Sequence, residues 1–187
     1  MTENAVNPTE LVTQGDKKIL FFRLAKERAT KSASKLALQV THNIKEDKKS
    51  ETTQTKDGGV VSGGGVEATM DIEALASTTE IVDMLHYAFQ KNETLEVWEV
   101  NFADKKTNGK YASKYATGLL TSWEDSAETG ANATIKTTFK ANGLFVKGNA
   151  TVTQADEAEA LAFFYDLAQG ASSAEPIPEY TPTTGGA

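Results

Sequence analysis

Alternation of apolar and polar positions dominates the chain. The clearest case is "VEATMDIEA": Val66, Ala68, Met70, Ile72 and Ala74 point one way, and Glu67, Thr69, Asp71 and Glu73 the other. A period of two predicts a half-buried strand with an acidic outer face. "LALQVTHNIKED" alternates in the same manner, placing Leu36, Leu38, Val40 and His42 on one face. "KKILFFRL" is a short apolar run rich in β-formers and predicts a buried strand. "TLEVWEVNF", "YASKYATGLLTSWE", "ATIKTTFKANG" and "LFVKGNATVT" predict further strands, the second of them bent at Gly118. Turns are expected at Asn108-Gly109 and at Gly130. "AKERATKSASK" reads equally as a helical turn or a loop.

Helical spacing occurs twice. Ser77 and Glu80 have capping-box spacing, followed by Ile81, Leu85, Ala88 and Phe89 with Met84 alongside; this predicts a helix over 77–92. Thr153 is placed to cap a shorter one, "QADEAEALAFFYDLAQ", which Gly170 is placed to stop. Strands interspersed with few helices predict a mainly β fold, a sandwich or small barrel of antiparallel strands with a helix on a face or edge.

One stretch does not fit a compact β domain. Residues 48–65, "KKSETTQTKDGGVVSGGG", separate two good strands with a Thr- and Gly-rich insert far longer than a usual hairpin loop. Folded back on itself, such an insert reaches about 25 Å, and ordering it costs about 1–2 kcal/mol per residue. It is expected to be a flexible loop that a repeated partner surface orders. Residues 1–16 are expected to form an N-terminal arm and 17–169 the domain. The Pro- and Gly-containing segment 170–187 is expected to be a flexible tail.

Composition narrows the chemistry. The chain has 187 residues, a net charge of −7 and no cysteine. One domain is expected, without disulfides, zinc ribbons or thiol nucleophiles. The acidic balance argues against tight nucleic-acid binding. No stretch resembles a signal peptide or a membrane helix. His42 and His86 are the only histidines and have no ligand cluster around them. "GGVVSGGG" precedes a strand and lacks the Lys-Ser or Lys-Thr pair of a phosphate loop. Glu67, Asp71 and Glu73 stand along an extended strand, which makes a stripe rather than a calcium cage. No catalytic, cofactor or metal residues emerge, and an enzyme is not expected. Trp98 and Trp123, with Tyr111 and Tyr115, offer stacking surfaces, which keeps a carbohydrate- or surface-binding β-sandwich module open as an alternative.

The ordered set "GDKKILFFRLAKERATKSASKLALQVTHNI", "SETTQTKDGGVVSGGGVEATMDIEAL", "LEVWEVNF", "GKYASKYATGLLTSWE" and "FVKGNATVTQAD" resembles the major tail tube proteins of siphophages, the TP901-1-like major tail protein family. The resemblance spans residues 12–169. It implies a structural virion protein of a bacteriophage, with a sandwich or barrel-like tube fold, hexameric rings and self-assembly into a stacked tube for genome ejection. It implies that residues 48–65 form a ring-stacking loop, in which Lys48, Lys49, Glu51, Thr53, Lys56, Asp57, Gly58, Gly59 and Gly64 are the named candidates. Partners implied are further copies, a tape-measure protein, terminator and baseplate or initiator proteins, and duplex DNA passing without tight binding; no membrane is implied. Location would be the virion tail, after assembly in the host cytoplasm. An acidic lumen wall would suit DNA transit, and some of Glu67, Asp71 and Glu73 are expected to face it, on the alternation together with the resemblance; the alternative is that they face the outside or a subunit joint.

Overall fold

The computed structural model describes residues 15–162. Chain order is β1 (Lys18–Leu24), β2 (Ser34–Lys35), β3 (Gln39–Thr55), β4 (Gly58–Leu75), α1 (Glu80–Lys91), β5 (Leu95–Lys105), β6 (Tyr111–Ser126), β7 (Thr134–Ala141), β8 (Val146–Ala150) and α2 (Gln154–Ala162). The strands form one sheet in the order β2-β1-β5-β6-β7-β4-β3, with β8 continuing along β6 beyond the end of β7. Every pairing is antiparallel. The architecture is thus mainly β and barrel-like, made from one curled sheet.

The curl follows from the shared core. Leu20 and Phe22 from β1, Met70 and Ile72 from β4, and Phe139 from β7 belong to a single buried cluster, although β1 and β4 lie near opposite ends of the sheet. Helix α1 adds Ile81, Val82, Leu85 and Ala88 to it. A second, smaller cluster, Phe21, Val100, Phe102 and Tyr111, covers the reverse face of β1, β5 and β6. These strands are buried on both faces, which is why "ILFF" and "VWEV" read as nearly continuous apolar runs.

Strand β6 passes very close to β7. A Cβ on Gly118 would lie 2.0 Å from the Lys140 carbonyl oxygen and 2.8 Å from the Phe139 ring, so only glycine fits. The irregularity in β6 falls just after it, between Leu120 and Ser122. The turns at Gly109 and Gly130 form as expected, with φ of +76° and +84°. Thr153 caps α2: its Oγ1 accepts from the Asp156 amide at 3.1 Å. The rest of the second expected helix, the tail 170–187 and nearly all of the arm 1–16 lie outside the described residues.

Two local expectations need correction. Helix α1 starts at Glu80 with Thr79 at its N-cap, not at Ser77; Ser77 Oγ instead meets Thr79 Oγ1 at 2.9 Å. The alternation over Leu36–His42 also fails. Leu38 takes a positive φ of +53°, and the pairing register shifts between Gln39 and Thr41. Leu36 is buried, Leu38 and Val40 are more than half exposed, and Gln39, His42 and Ile44 turn inward or partly so.

This irregularity carries the closure of the sheet. Gln39 Oε1 accepts from the Leu20 amide at 3.1 Å, and Gln39 Nε2 donates to the Lys18 carbonyl at 3.3 Å. One side-chain amide thereby stands in for a strand–strand ladder between β3 and β1. Nε2 also reaches His42 Nδ1 at 2.7 Å, leaving the opposite ring nitrogen to donate to Glu99 at 2.8 Å. Glu99 further pairs with Lys18 and Lys114. Burial alone would raise the Glu99 carboxyl, but the His42 hydrogen bond and the two lysines bring it below the usual carboxylate range.

On the other face Glu96, 1% exposed, gathers Arg23, Arg28 and Tyr115. Arg28 and Lys31 belong to the segment that joins β1 to β2, and Arg23 also donates to the Lys31 carbonyl at 3.0 Å. The cluster therefore ties that connection to the sheet. Burial pushes the Glu96 carboxyl up; hydrogen bonds from Arg28, Tyr115 and Arg23 outweigh it and hold the group low.

Chain geometry changes sharply along the β3–β4 hairpin. Glu67 to Leu75 alternates as expected, with Ala68, Met70, Ile72 and Ala74 all at most 4% exposed, whereas Val66, expected on the same buried face, is 38% exposed because the core ends before it. Beyond the register shift between Lys48 and Ser50, every residue from Ser50 to Gly65 is exposed. A two-stranded ribbon with no buried face is marginal in water. Amides of Thr53 and Val60 are therefore expected to exchange with deuterium orders of magnitude faster than those of Met70 and Ile72 in the unassembled chain, read by hydrogen-exchange NMR or mass spectrometry. Equal protection would contradict this description of the ribbon. Glu96→Gln is expected to cost roughly 2–4 kcal/mol in urea unfolding at neutral pH, less than a wholly buried pair because Arg28 is half in water. The contribution is complete above the unfolded Glu value near ~4.3 and is lost as pH falls through the lower folded value. The variant should show a correspondingly shallower loss of stability below about pH 4.

Candidate assembly surface

Residues 48–65 are not a loop. They continue β3 and β4 as a hydrogen-bonded ribbon paired Ser50↔Gly63, Glu51↔Ser62, Thr52↔Val61, Thr53↔Val60, Gln54↔Gly59 and Thr55↔Gly58. Only Lys56 and Asp57 form the turn, with Gly58 at a φ of +131° and Thr55 Oγ1 donating to the Gly58 carbonyl at 2.6 Å. The expectation of a disordered insert is therefore corrected: backbone pairing orders it locally. Thr and Val favour extended backbone, and the Lys-Asp-Gly turn closes the two strands.

The ribbon leaves the body at a bulge. Lys48 opposes Val66 and Ser50 opposes Gly63, so Lys49 faces both Gly64 and Gly65. A Cβ on Gly64 would lie 3.0 Å from the Lys49 carbonyl oxygen, which accounts for glycine there. Both edges of the ribbon carry unpaired backbone groups, since β3 is the last strand of the sheet and β7 reaches along β4 only to Thr69. Val60 and Val61 are 58% and 67% exposed, one on each face of the ribbon. Of the named residues, Lys56, Asp57, Gly58, Gly59 and Thr53 lie at or near the tip, Glu51 midway, and Lys48, Lys49 and Gly64 at the bulge.

Glu67, Asp71 and Glu73 share the polar face of β4 as expected, but they are not a bare acidic stripe. Lys49 Nζ meets Glu67 at 2.6 Å and Lys140 meets it from the other side at 3.4 Å. Lys45 meets Asp71 at 2.8 Å, and Thr138 donates to the same carboxylate at 3.0 Å. Lys136 lies 3.8 Å from Glu73. Asp47 and Glu124 also fall on this face by register, so among the described residues at least five carboxylates stand around four lysines. The sequence shows the acids because they alternate on one strand. It hides their lysines, which come from β3 and β7 through cross-strand register. Hydrogen bonds from Lys49 and Lys45 hold the Glu67 and Asp71 carboxyls below their usual range. A shallow hollow of about 410 Å³ lies on this face, bounded by Asn43, Asp71, Ser122 and Lys136.

The aromatic residues have other duties. Trp98 meets Tyr115 in a tilted contact, 5.1 Å between centroids, and has the Arg23 guanidinium 5.1 Å from its ring. Trp123 lies under His86 and Phe89 of α1, with centroids 4.9 and 6.4 Å away. Both rings make their contacts within the fold. Tyr111 packs on Phe102 and donates to Glu157 of α2. Among the described residues no group of three or more His, Asp or Glu side chains is placed to hold a metal ion, and no helix is long and apolar enough to cross a membrane.

Comparison with known proteins gives this geometry a context. The family model described as phage tail tube protein matches residues 12–147. A protein of Staphylococcus phage phiMR25, named as a tail protein, is 28% identical over 142 residues, covering 74% of this chain and 72% of its own. Among solved structures, the SPP1 tail tube superposes with a TM-score of 0.71 at 20% identity, covering 88% of this chain and 96% of that one. A tail protein of a gene transfer agent particle, refined with C6 symmetry, gives 0.58 at 11% identity, covering 75% of this chain and all of the other. The family model spans well over half of the chain, and its family is one of structural tail components, not of enzymes: the chain belongs to the phage tail tube protein family.

Proposed function

We propose that this chain assembles as rings of six, stacked into the tube of a phage tail, and that the ribbon over residues 48–65 seats on a copy in the adjacent ring. The observation that carries this reading is the ribbon itself. The six residue pairs beyond the bulge project it about 20 Å from the body, with two open backbone edges and a valine on each face. Open edges of that length are a hazard for a soluble monomer and a template for a second chain. Sixfold order is the symmetry of the similar gene transfer agent tail.

In this arrangement the polar face of β4, with Glu67, Asp71 and Glu73, lines the lumen. The tube holds a tape-measure protein during assembly in the host cytoplasm, is bounded by terminator and baseplate proteins, and later passes duplex DNA without gripping it. The face is polar, carries a shallow hollow and lacks exposed large apolar side chains among its named residues, which suits a wall that must not adhere.

Replacing Thr52–Val61 by Asn-Gly tests the role of the ribbon. A two-residue turn then closes directly on the existing Glu51–Ser62 pair, so the body keeps its register. The variant is expected to melt within a few degrees of the parent and to form no tubes under conditions where the parent does, read by electron microscopy and sedimentation. Tubes of normal length from the shortened chain would refute the proposed contact.

A further inference from the structure

The charge pattern on the polar face of β4 points to a specific way of handling a polyanion, and it rests on the reading that this face lines the lumen. The acids stand on the central strand β4, and the lysines reach them from both flanking strands: Lys45 and Lys49 from β3, Lys136 and Lys140 from β7. The lysine side chains are about half exposed or more, at 53%, 70%, 50% and 49%. Left unpaired, such lysines at strand spacing would each exchange a counterion for a phosphate and retard a duplex.

We propose that the β4 carboxylates Glu67, Asp71 and Glu73 keep passing duplex DNA from sticking by occupying the lysines of β3 and β7, so that the wall works by charge balance and not by repulsion. An acid-only wall would repel a polyanion, but it would also repel itself around a closed ring. The paired face avoids both adhesion and self-repulsion. Asp47 from β3 and Glu124 from β6, also on this face, leave only a slight acidic excess. The lysine hydrogen bonds that hold Glu67 and Asp71 low keep the balance intact through mildly acidic pH. Below the carboxylate range the acids take up protons, the lysines stay charged, and the wall turns basic.

Three full-length variants separate the alternatives. The first is E67Q/D71N/E73Q, which frees the lysines. The second is K45Q/K49Q/K136Q/K140Q, and the third combines both sets. Binding of a fluorescent DNA duplex is measured on the soluble chain, and the rate of genome ejection on virions carrying each variant. The acid-stripped chain is expected to bind duplex with an affinity that falls roughly 40–150-fold between 50 and 200 mM salt, the range for three to four released lysines. Its virions should eject slowly. The parent and the combined variant should neither bind nor slow. If the combined variant ejects as slowly as the acid-stripped one, repulsion by the acids is what matters and the proposal falls. If the acid-stripped chain binds no duplex and ejects normally, it also falls. Should the acid-stripped chain fail to fold, the pair swap K45D/D71K gives the second test: it must leave duplex binding absent, while D71K alone must create it.

Failure of the lumen reading would look different. Thr69 lies on this face between the pairs, and the chain has no cysteine, so Thr69→Cys gives a unique label site. In assembled tubes it should react with a small maleimide and resist one too bulky to enter the tube. Labelling by the bulky reagent would place the face outside, whatever the duplex measurements show.

Discussion

A two-stranded ribbon cannot hide its own backbone. Within the body of this protein each strand from β1 to β4 finds a neighbour, and the sheet wraps until a single glutamine, Gln39, joins β3 to β1. Past the bulge at Lys49 that solution ends. Ser50–Gly65 has pairing between its two strands and nothing beneath it. The rest of the chain makes sense as a rigid base for that projection. A core drawn from β1, β4, β7 and α1 fixes the root of the hairpin through Met70 and Ile72, whose exposures are 0% and 4%.

Charge is arranged by the same logic of satisfied partners. Among the described residues no buried side-chain nitrogen or oxygen lacks a hydrogen bond. Glu96 and Glu99, on opposite faces of β5, are each enclosed by cations or donors that hold their carboxyls ionised. Both clusters bind one segment of chain to another: Glu96 the β1–β2 connection, Glu99 the β1–β3 seam. The polar face of β4 repeats the arrangement in water, with lysines from two strands converging on the acids of a third. There the individual pairs add little to stability because solvent screens them; in the proposed function they set what the face presents to a charged neighbour.

Sequence pattern resolved those elements whose two faces meet different surroundings. Glu67–Leu75 and Thr134–Ala141 alternate because one side meets the core and the other water, and both are legible residue by residue. Helix α1 was legible from Ile81, Leu85 and Ala88, but its start was not. Ser77 and Glu80 have the right spacing, yet Thr79 begins the helix without a side-chain cap. The ribbon escaped recognition as strand for a physical reason: with no buried face there is no alternation to read, and Thr-Gly composition then looks like a loop. Leu36–His42 misled in the opposite direction. An intact alternation was broken by a positive φ at Leu38 and a bulge that turns Val40 outward. The ion pairs were hidden altogether, since Lys45 and Asp71 are 26 residues apart and meet only through hairpin register.

The central claim is that the ribbon is incomplete in one chain and is completed by another. Electron cryomicroscopy of the assembled tube tests it most directly, by tracing Thr53–Ser62. In the proposed assembly this segment lies against a neighbouring copy, with Val60 or Val61 covered and at least one ribbon edge paired. A tube in which the same residues project into solvent on the outer surface, touching no other subunit, would contradict it.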